Sequence, residues 1–322
     1  MMIEAEILIV IGFFLLIKGA DYLVDGAVGI AKKFNIPEIV IGLTIVSIGT
    51  SMPELIVSIT SAMEGFSDMA IGNVVGSNVA NLLLILGISA ISSPIILKRE
   101  TRLIEVPLCL IISIIFYFIC NIGQNVTRKE GILLITLFVL FIIYTIVMAF
   151  KGNEFDKEDD EIETVENVQA EKNNNTLKNL FHIVLGIAAL KFGGDLAVNN
   201  AVKVAEWFGL SEKIISVTIL AVGTSLPELV TTVSAAIKKE NDIAIGNILG
   251  SNIFNMLLII GVSALIKPIT YNISYNIDMY IVMSAAVVLF LFAYIPPKNK
   301  MSRINGIIYL SLYIIYLITI FI

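Results

Sequence analysis

The chain has 322 residues, 57% of them hydrophobic and 15% charged, with a mean hydropathy of +0.92 and a formal net charge of −6. Soluble domains carry about a quarter charged residues, so this composition excludes a water-soluble globular fold and points to a polytopic membrane protein. No nucleotide-binding fingerprint is present, which leaves an ion gradient as the energy source for any uphill transport, and no nucleic-acid partner is expected.

A helix that crosses a hydrocarbon core needs about 20 apolar residues. Ten such stretches follow one another, at 3–24, 37–62, 69–92, 103–122, 131–150, 177–200, 212–237, 243–266, 277–295 and 304–322. The first carries Glu4 and Glu6 where a cleaved signal would carry basic residues, so it reads as a retained helix. The fourth holds Cys109 and Cys120, the only cysteines, without metal-ligand spacing; they read as packing or lipid-facing residues. Between the fifth and sixth stretches lies an acidic run that includes Glu154, Asp156, Glu158, Asp159, Asp160, Glu161 and Glu163. It is no Ca2+-binding hand: in the window from Asp156, Glu161 stands where such a hand requires glycine, and the window ends at Asn167 instead of a bidentate glutamate. A solvated, flexible linker is the better reading. The expected organisation is a five-helix unit at 1–150, a linker at 151–176 and a second five-helix unit at 177–322.

The two units repeat each other. Sliding the sequence by 174 residues lays Ile48-Gly49-Thr50-Ser51-Met52-Pro53-Glu54-Leu55 over Val222-Gly223-Thr224-Ser225-Leu226-Pro227-Glu228-Leu229. The same shift lays Gly72-Asn73-Val74-Val75-Gly76-Ser77-Asn78 over Gly246-Asn247-Ile248-Leu249-Gly250-Ser251-Asn252, and pairs Asp21 with Asp195 and Asn81 with Asn255. An odd number of helices per unit sends the second unit into the membrane from the opposite side. The expected fold is therefore all-α, with ten transmembrane helices as two inverted five-helix repeats, an arrangement suited to alternating access. Loops on one side carry Lys32, Lys33, Lys98, Arg99, Arg102, Lys151, Lys157, Lys172, Lys178, Lys238, Lys239, Lys298, Lys300 and Arg303, against Arg128, Lys129, Lys213 and Lys267 opposite. The positive-inside tendency then places the linker in the cytoplasm and both termini outside the cell membrane.

An ionisable side chain deep in a spanning helix costs about 3 kcal/mol on insertion scales, so Glu54 and Glu228 need compensation. Ser47, Thr50, Ser51 and Glu54 recur at spacings of three and four, which gathers their polarity on one helical stripe; Thr224, Ser225 and Glu228 repeat it. Pro53 and Pro227 lack an N–H and should free backbone carbonyls around Ser47 to Thr50 and Ala221 to Thr224. Carboxylate, hydroxyl and carbonyl oxygens are the ligands that hard cations such as Ca2+ and Na+ prefer, and the lack of histidine or thiolate ligands here argues against zinc or copper. Asn73, Ser77 and Asn81, with Asn247, Ser251 and Asn255, share a face at spacings of four, while Gly72, Gly76, Gly246 and Gly250 read as helix-packing residues. Two carboxylates balance one Ca2+ or two Na+ but not both, so competition for the same oxygens couples the ions. A third Na+ would make the cycle electrogenic.

These motifs resemble those of the cation/Ca2+ exchanger superfamily, and of prokaryotic Na+/Ca2+ exchangers in particular, whose repeats each carry G-T-S-x-P-E/D followed by G-N-x-x-G-S-N. The resemblance is carried by residues 42–94 and 216–268; the outer helices match in number and placement. It implies that Glu54 and Glu228 bind Ca2+ and that Thr50 and Thr224 add carbonyl or hydroxyl oxygens. It further implies Na+ sites flanked by Ser51, Ser77, Ser225 and Ser251 and completed by backbone oxygens of Ser47 and Ala221. Asn81 and Asn255 complete the candidate set; the K+-dependent branch has aspartate at the latter position, so the resemblance implies no K+ cotransport. The G-N-x-x-E motif usual in Ca2+/H+ exchangers is absent, which implies Na+ as counter-ion. The family picture has the first and sixth helices sliding across the core, and the linker is short beside the regulatory Ca2+-binding domains of animal relatives. No cofactor is implied, Ca2+ and Na+ being cargo, and the chain is expected to work as a monomer in the lipid bilayer.

Three other readings compete. Ca2+/H+ antiport needs Glu54 and Glu228 to carry protons. A cation channel is disfavoured because pores usually lie on an axis between parallel subunits. An intramembrane hydrolase lacks a base near its serines, since the single histidine, His182, is far from the motifs in sequence.

Overall fold

The structure, a computed structural model, describes residues 2–151, 176–209, 223–295 and 299–321. The acidic linker, the start of the seventh stretch and Ala221 lie outside the described residues. Helices follow the apolar stretches: α1 Met2–Phe34, α2 Glu38–Thr50, α3 Met52–Glu64, α4 Ser67–Ser92, α5 Thr101–Asn121 and α6 Arg128–Lys151. After the linker come α7 Thr176–Trp207, α8 Leu226–Ile237, α9 Asn241–Ile266, α10 Asn276–Phe292 and α11 Arg303–Phe321. Seven of these helices are long and apolar enough to cross a membrane, and the α2–α3 pair makes an eighth span if counted as one.

Two boundaries differ from expectation. α1 runs on to Phe34 and α7 to Trp207, because charged residues such as Asp25, Lys32 and Lys33 end the hydropathy signal without ending the helix. The second stretch is two helices, bent by 51° at Ser51, where Pro53 in the first turn of α3 breaks the run of N–H donors. Two short antiparallel pairs also occur where helices alone were expected. β1 (Ile95–Ile96) pairs with β4 (Lys300–Met301), and β2 (Asn125–Val126) pairs with β3 (Ile269–Thr270). Each ties a loop of one half to a loop of the other, at opposite ends of α5.

α4 and α9 are buried along most of their length, whereas α1, α6, α7 and α10 turn most of theirs outward. The outward faces carry Val10, Phe14, Phe150, Val184 and Ile277, an apolar belt of the kind that lipid covers. Cys109 and Cys120 are both buried in the core, so packing, not lipid contact, is their role. α1 and α7 pack antiparallel along glycines. A Cβ at Gly19 would meet the Leu190 nitrogen at 2.8 Å, and one at Gly186 the Leu23 nitrogen at 2.7 Å, so no larger residue fits that seam. Gly246 and Gly250 pack in the same way against α2.

Candidate ion-binding site

The bend at Ser51 points the first turn of α3 into the centre of the molecule, and the start of α8 does the same from the other half. Both place a glutamate in the first turn, where the partial positive charge of a helix N-terminus favours a carboxylate. Glu54 and Glu228 are each about 1% exposed. The serine of each motif reaches the glutamate of the other: Ser51 Oγ donates to Glu228 Oε1 at 2.7 Å, and Ser225 Oγ to Glu54 Oε1 at 3.4 Å. Thr224 stands beside Glu54 and Thr50 beside Glu228, and each carboxylate also accepts its own backbone N–H. Two carboxyl groups thus share one small polar volume, held by donors from both halves.

The facing helices repeat this reciprocity. Asn73 Nδ2 donates to Ser58 Oγ at 2.9 Å and Asn247 Nδ2 to Thr232 Oγ1 at 2.9 Å. Asn73 also donates to the Glu54 carbonyl, at 3.2 Å, and Asn247 Oδ1 accepts from Thr50 Oγ1 at 3.1 Å. Farther along, Asn81 Nδ2 donates to Asn252 Oδ1 and Asn255 Nδ2 to Asn78 Oδ1, both at 3.0 Å. A π-helical segment begins at or just before each of Asn81 and Asn255, a local widening that recurs at functional sites. Ser77 lies 3.4 Å from Ser225, and Ser251 is fully buried.

Of the candidate residues, the structure brings those described together around the two glutamates, and Ala221 lies outside the described residues. Within the Ser47–Thr50 range expected to hold freed carbonyls, that of Ser47 accepts from Ser51 N at 3.0 Å and Thr50 Oγ1 at 3.3 Å. The missing donor falls on Gly49, four residues before the proline. Ser58, Thr232, Asn78 and Asn252 were not in the candidate set, although the 174-residue shift pairs them as it pairs the others.

Five buried oxygens in this cluster have no hydrogen-bond partner among the described residues: Glu54 Oε2, Glu228 Oε2, Asn81 Oδ1, Asn255 Oδ1 and Ser251 Oγ. Buried oxygens are normally satisfied, and carboxylate, amide and hydroxyl oxygens are the kinds of ligand that a hard cation takes. Groups of three or more His, Cys, Asp or Glu that could hold a metal are absent among the described residues. The donor set is two carboxylates with amide and hydroxyl oxygens, which suits a weakly held, hard cation. A cavity of about 800 Å³ leads toward it, lined by Pro53, Asn73, Ser77, Asp195, Thr224 and Tyr275, among others.

The family model described as "Sodium/calcium exchanger protein" matches residues 5–147 and 178–322, both halves of the chain. The chain belongs to the sodium/calcium exchanger family. Among relatives of this exchanger, a putative antiporter CaxA of Alkalimonas amylolytica is 38% identical over 98% of each chain. The sodium/calcium exchanger MaX1 of Methanosarcina acetivorans is 32% identical, again over 98% of each. A solved structure of the sodium-calcium exchanger NCX_Mj, soaked with 10 mM Na+ and no Ca2+, superposes with a TM-score of 0.83 at 30% identity, over 98% of each chain. The exchanger is thus a membrane antiporter of the cation/Ca2+ type, and its relatives are transporters, not enzymes. His182, the single histidine, packs against Tyr22 in a tilted arrangement with ring centroids 5.2 Å apart.

Proposed function

We propose that the chain exchanges Ca2+ for Na+ across the membrane by alternating access, through one site built around Glu54 and Glu228. The observation that carries this reading is the reciprocal pair of bonds, Ser51 to Glu228 and Ser225 to Glu54, with an orphan oxygen on each carboxylate. A site assembled from both halves is remade whenever one half tilts against the other. It can therefore open to one side at a time while keeping its ligands. The exchange is coupled because Ca2+ and Na+ compete for the same two negative charges, and it is electrogenic, with a third Na+ at the flanking hydroxyls.

The architecture behind it is ten spans in two inverted repeats, 1–150 and 177–322, joined by the cytoplasmic segment 151–176, with both termini outside and the monomer as working unit. Support comes from the described residues: seven long apolar helices, one bent pair and the two shorter apolar helices α8 and α11 fill the ten positions. The antiparallel contact of α1 with its repeat mate α7, and of β1–β4 and β2–β3 at opposite ends, fits a twofold axis in the membrane plane. In this arrangement the described cavity faces outward. Ser51, Ser225, Ser77 and Ser251 supply hydroxyls, Thr50 and Thr224 hydroxyl or carbonyl oxygens, Asn81 and Asn255 amide oxygens, and Ser47 and Ala221 backbone oxygens.

Purified protein in Na+-loaded vesicles, diluted into Na+-free medium, should take up radioactive Ca2+, faster when the interior is made negative by a K+ diffusion potential. Uptake driven by a proton gradient in the absence of Na+ would move the assignment to Ca2+/H+ exchange. Uptake that needs no counter-ion would indicate a channel.

A further inference from the structure

The 174-residue shift preserves the binding site but not the contacts that Asp21 on α1 and Asp195 on α7 make. On α1, Asp21 accepts from Ser234 Oγ at 3.0 Å and pairs with Lys238 Nζ at 3.1 Å, both at the far end of α8. Lys238 also donates to the Asp21 carbonyl at 3.3 Å and pairs with Asp25 at 2.8 Å. This cluster fastens α1 to α8. The repeat mates are Asp195 for Asp21, Asn199 for Asp25, Thr60 for Ser234 and Glu64 for Lys238. Asp195 borders the cavity and pairs with Lys191, one turn away on its own helix, at 3.3 Å; the mate of Lys191 is Ile17. Thr60 turns back to the carbonyl of Ile56.

Exchanging the conformations of two inverted halves gives the shape open to the other side. In that shape the mates would swap roles: Asp21 and Asp25 would border an inner cavity, and Asp195 would close against Thr60 and Glu64. A carboxylate facing a carboxylate cannot replace a carboxylate facing an amine; at the α3 end the Lys267 amine lies against Gly65, on the loop beyond Glu64. The two shapes are therefore fastened unequally.

We infer that Lys238 is a positioning residue for exchange: by holding Asp21 and Asp25 it keeps the inner side closed, and it biases the carrier toward the outward-open shape. This rests on the alternating-access reading above. The pairs are partly exposed, so their combined effect on the equilibrium is about fivefold. Because the inward-open shape is the minor one, its population sets the apparent affinity measured from the inner side.

The test measures apparent Ca2+ affinity separately on right-side-out and inside-out vesicles. Lys238→Gln should tighten the inner affinity about fivefold while leaving the outer affinity nearly unchanged, and Lys238→Arg should keep both at the starting values. Glu64→Lys should act differently, giving Asp195 a partner in the inward-open shape alone. It should tighten the inner affinity and slow labelling of a Val198→Cys reporter in the outer cavity by an impermeant maleimide, and Asp195→Asn should cancel both effects. Intact exchange with equal affinity changes on both sides, or none, in Lys238→Gln would overturn the latch. Loss of Na+-dependent exchange in the unaltered chain would overturn the reading on which it rests.

Discussion

Around Glu54 and Glu228 the two halves of the chain do matching things to each other, whereas at Asp21 on α1 and Asp195 on α7 they do not. Ser51 and Ser225, Asn73 and Asn247, and Asn81 and Asn255 make matching bonds at matching positions. Lys238 and Glu64, by contrast, occupy matching positions with opposite charge. The difference teaches which parts must serve both conformations. A site that holds the same ions from either side needs equal ligands in both halves. A fastening that acts in one conformation has no such requirement and is free to diverge.

The largest effect should come from the symmetric part. Glu54→Gln and Glu228→Gln each remove a charged ligand, and since substitutions behind a metal ligand already cost about 10- to 100-fold, each should abolish Na+-driven Ca2+ uptake in vesicles. Nearly equal loss in both supports the symmetry; survival of one would show that the halves are unequal at the ions themselves. Next, Asn73→Ala and Asn247→Ala remove groups that hold the site without carrying charge. Each should weaken Ca2+ binding by about 10- to 100-fold, measured by titration calorimetry.

Packing effects come third. A Cβ at Gly250 would sit 2.6 Å from Ser47 Oγ and 2.7 Å from the Leu43 carbonyl, so Gly250→Ala should destabilise the protein by about 1–3 kcal/mol, read as a lower Tm in detergent. The smallest effect should come from the outer helices. Tyr144 OH donates to the buried Glu105 at 3.1 Å and Tyr316 OH to the half-buried Asp278 at 2.7 Å. Tyr144→Phe should cost about 1–2 kcal/mol in thermal stability and Tyr316→Phe less, with exchange retained in both.

Those last two links show where sequence reading stopped. Each joins a carboxylate on the fourth helix of a half to a tyrosine on the fifth, yet the mates are offset by 173 and 172 residues instead of 174. A gapless comparison passes over them, although acids in apolar stretches at 105 and 278 were visible signals. The motif segments were legible because their chemistry is carried by residue types that lipid does not tolerate without reason. The break at Ser51 was legible through Pro53, and so was the range of carbonyls it frees; which one of them it is depends on which N–H donors persist around the bend. The four two-residue strands are too short to leave a periodic pattern. The ends of α1 and α7 were missed because hydropathy reports the membrane core, while backbone hydrogen bonding continues into water.

The most direct test of the central claim is Ca2+ binding to the purified exchanger, titrated at increasing Na+. The account predicts that Na+ displaces Ca2+ competitively, and that Glu54→Gln and Glu228→Gln each abolish the Na+-sensitive Ca2+ binding. Ca2+ binding that ignores Na+, or that survives in both variants, would contradict it.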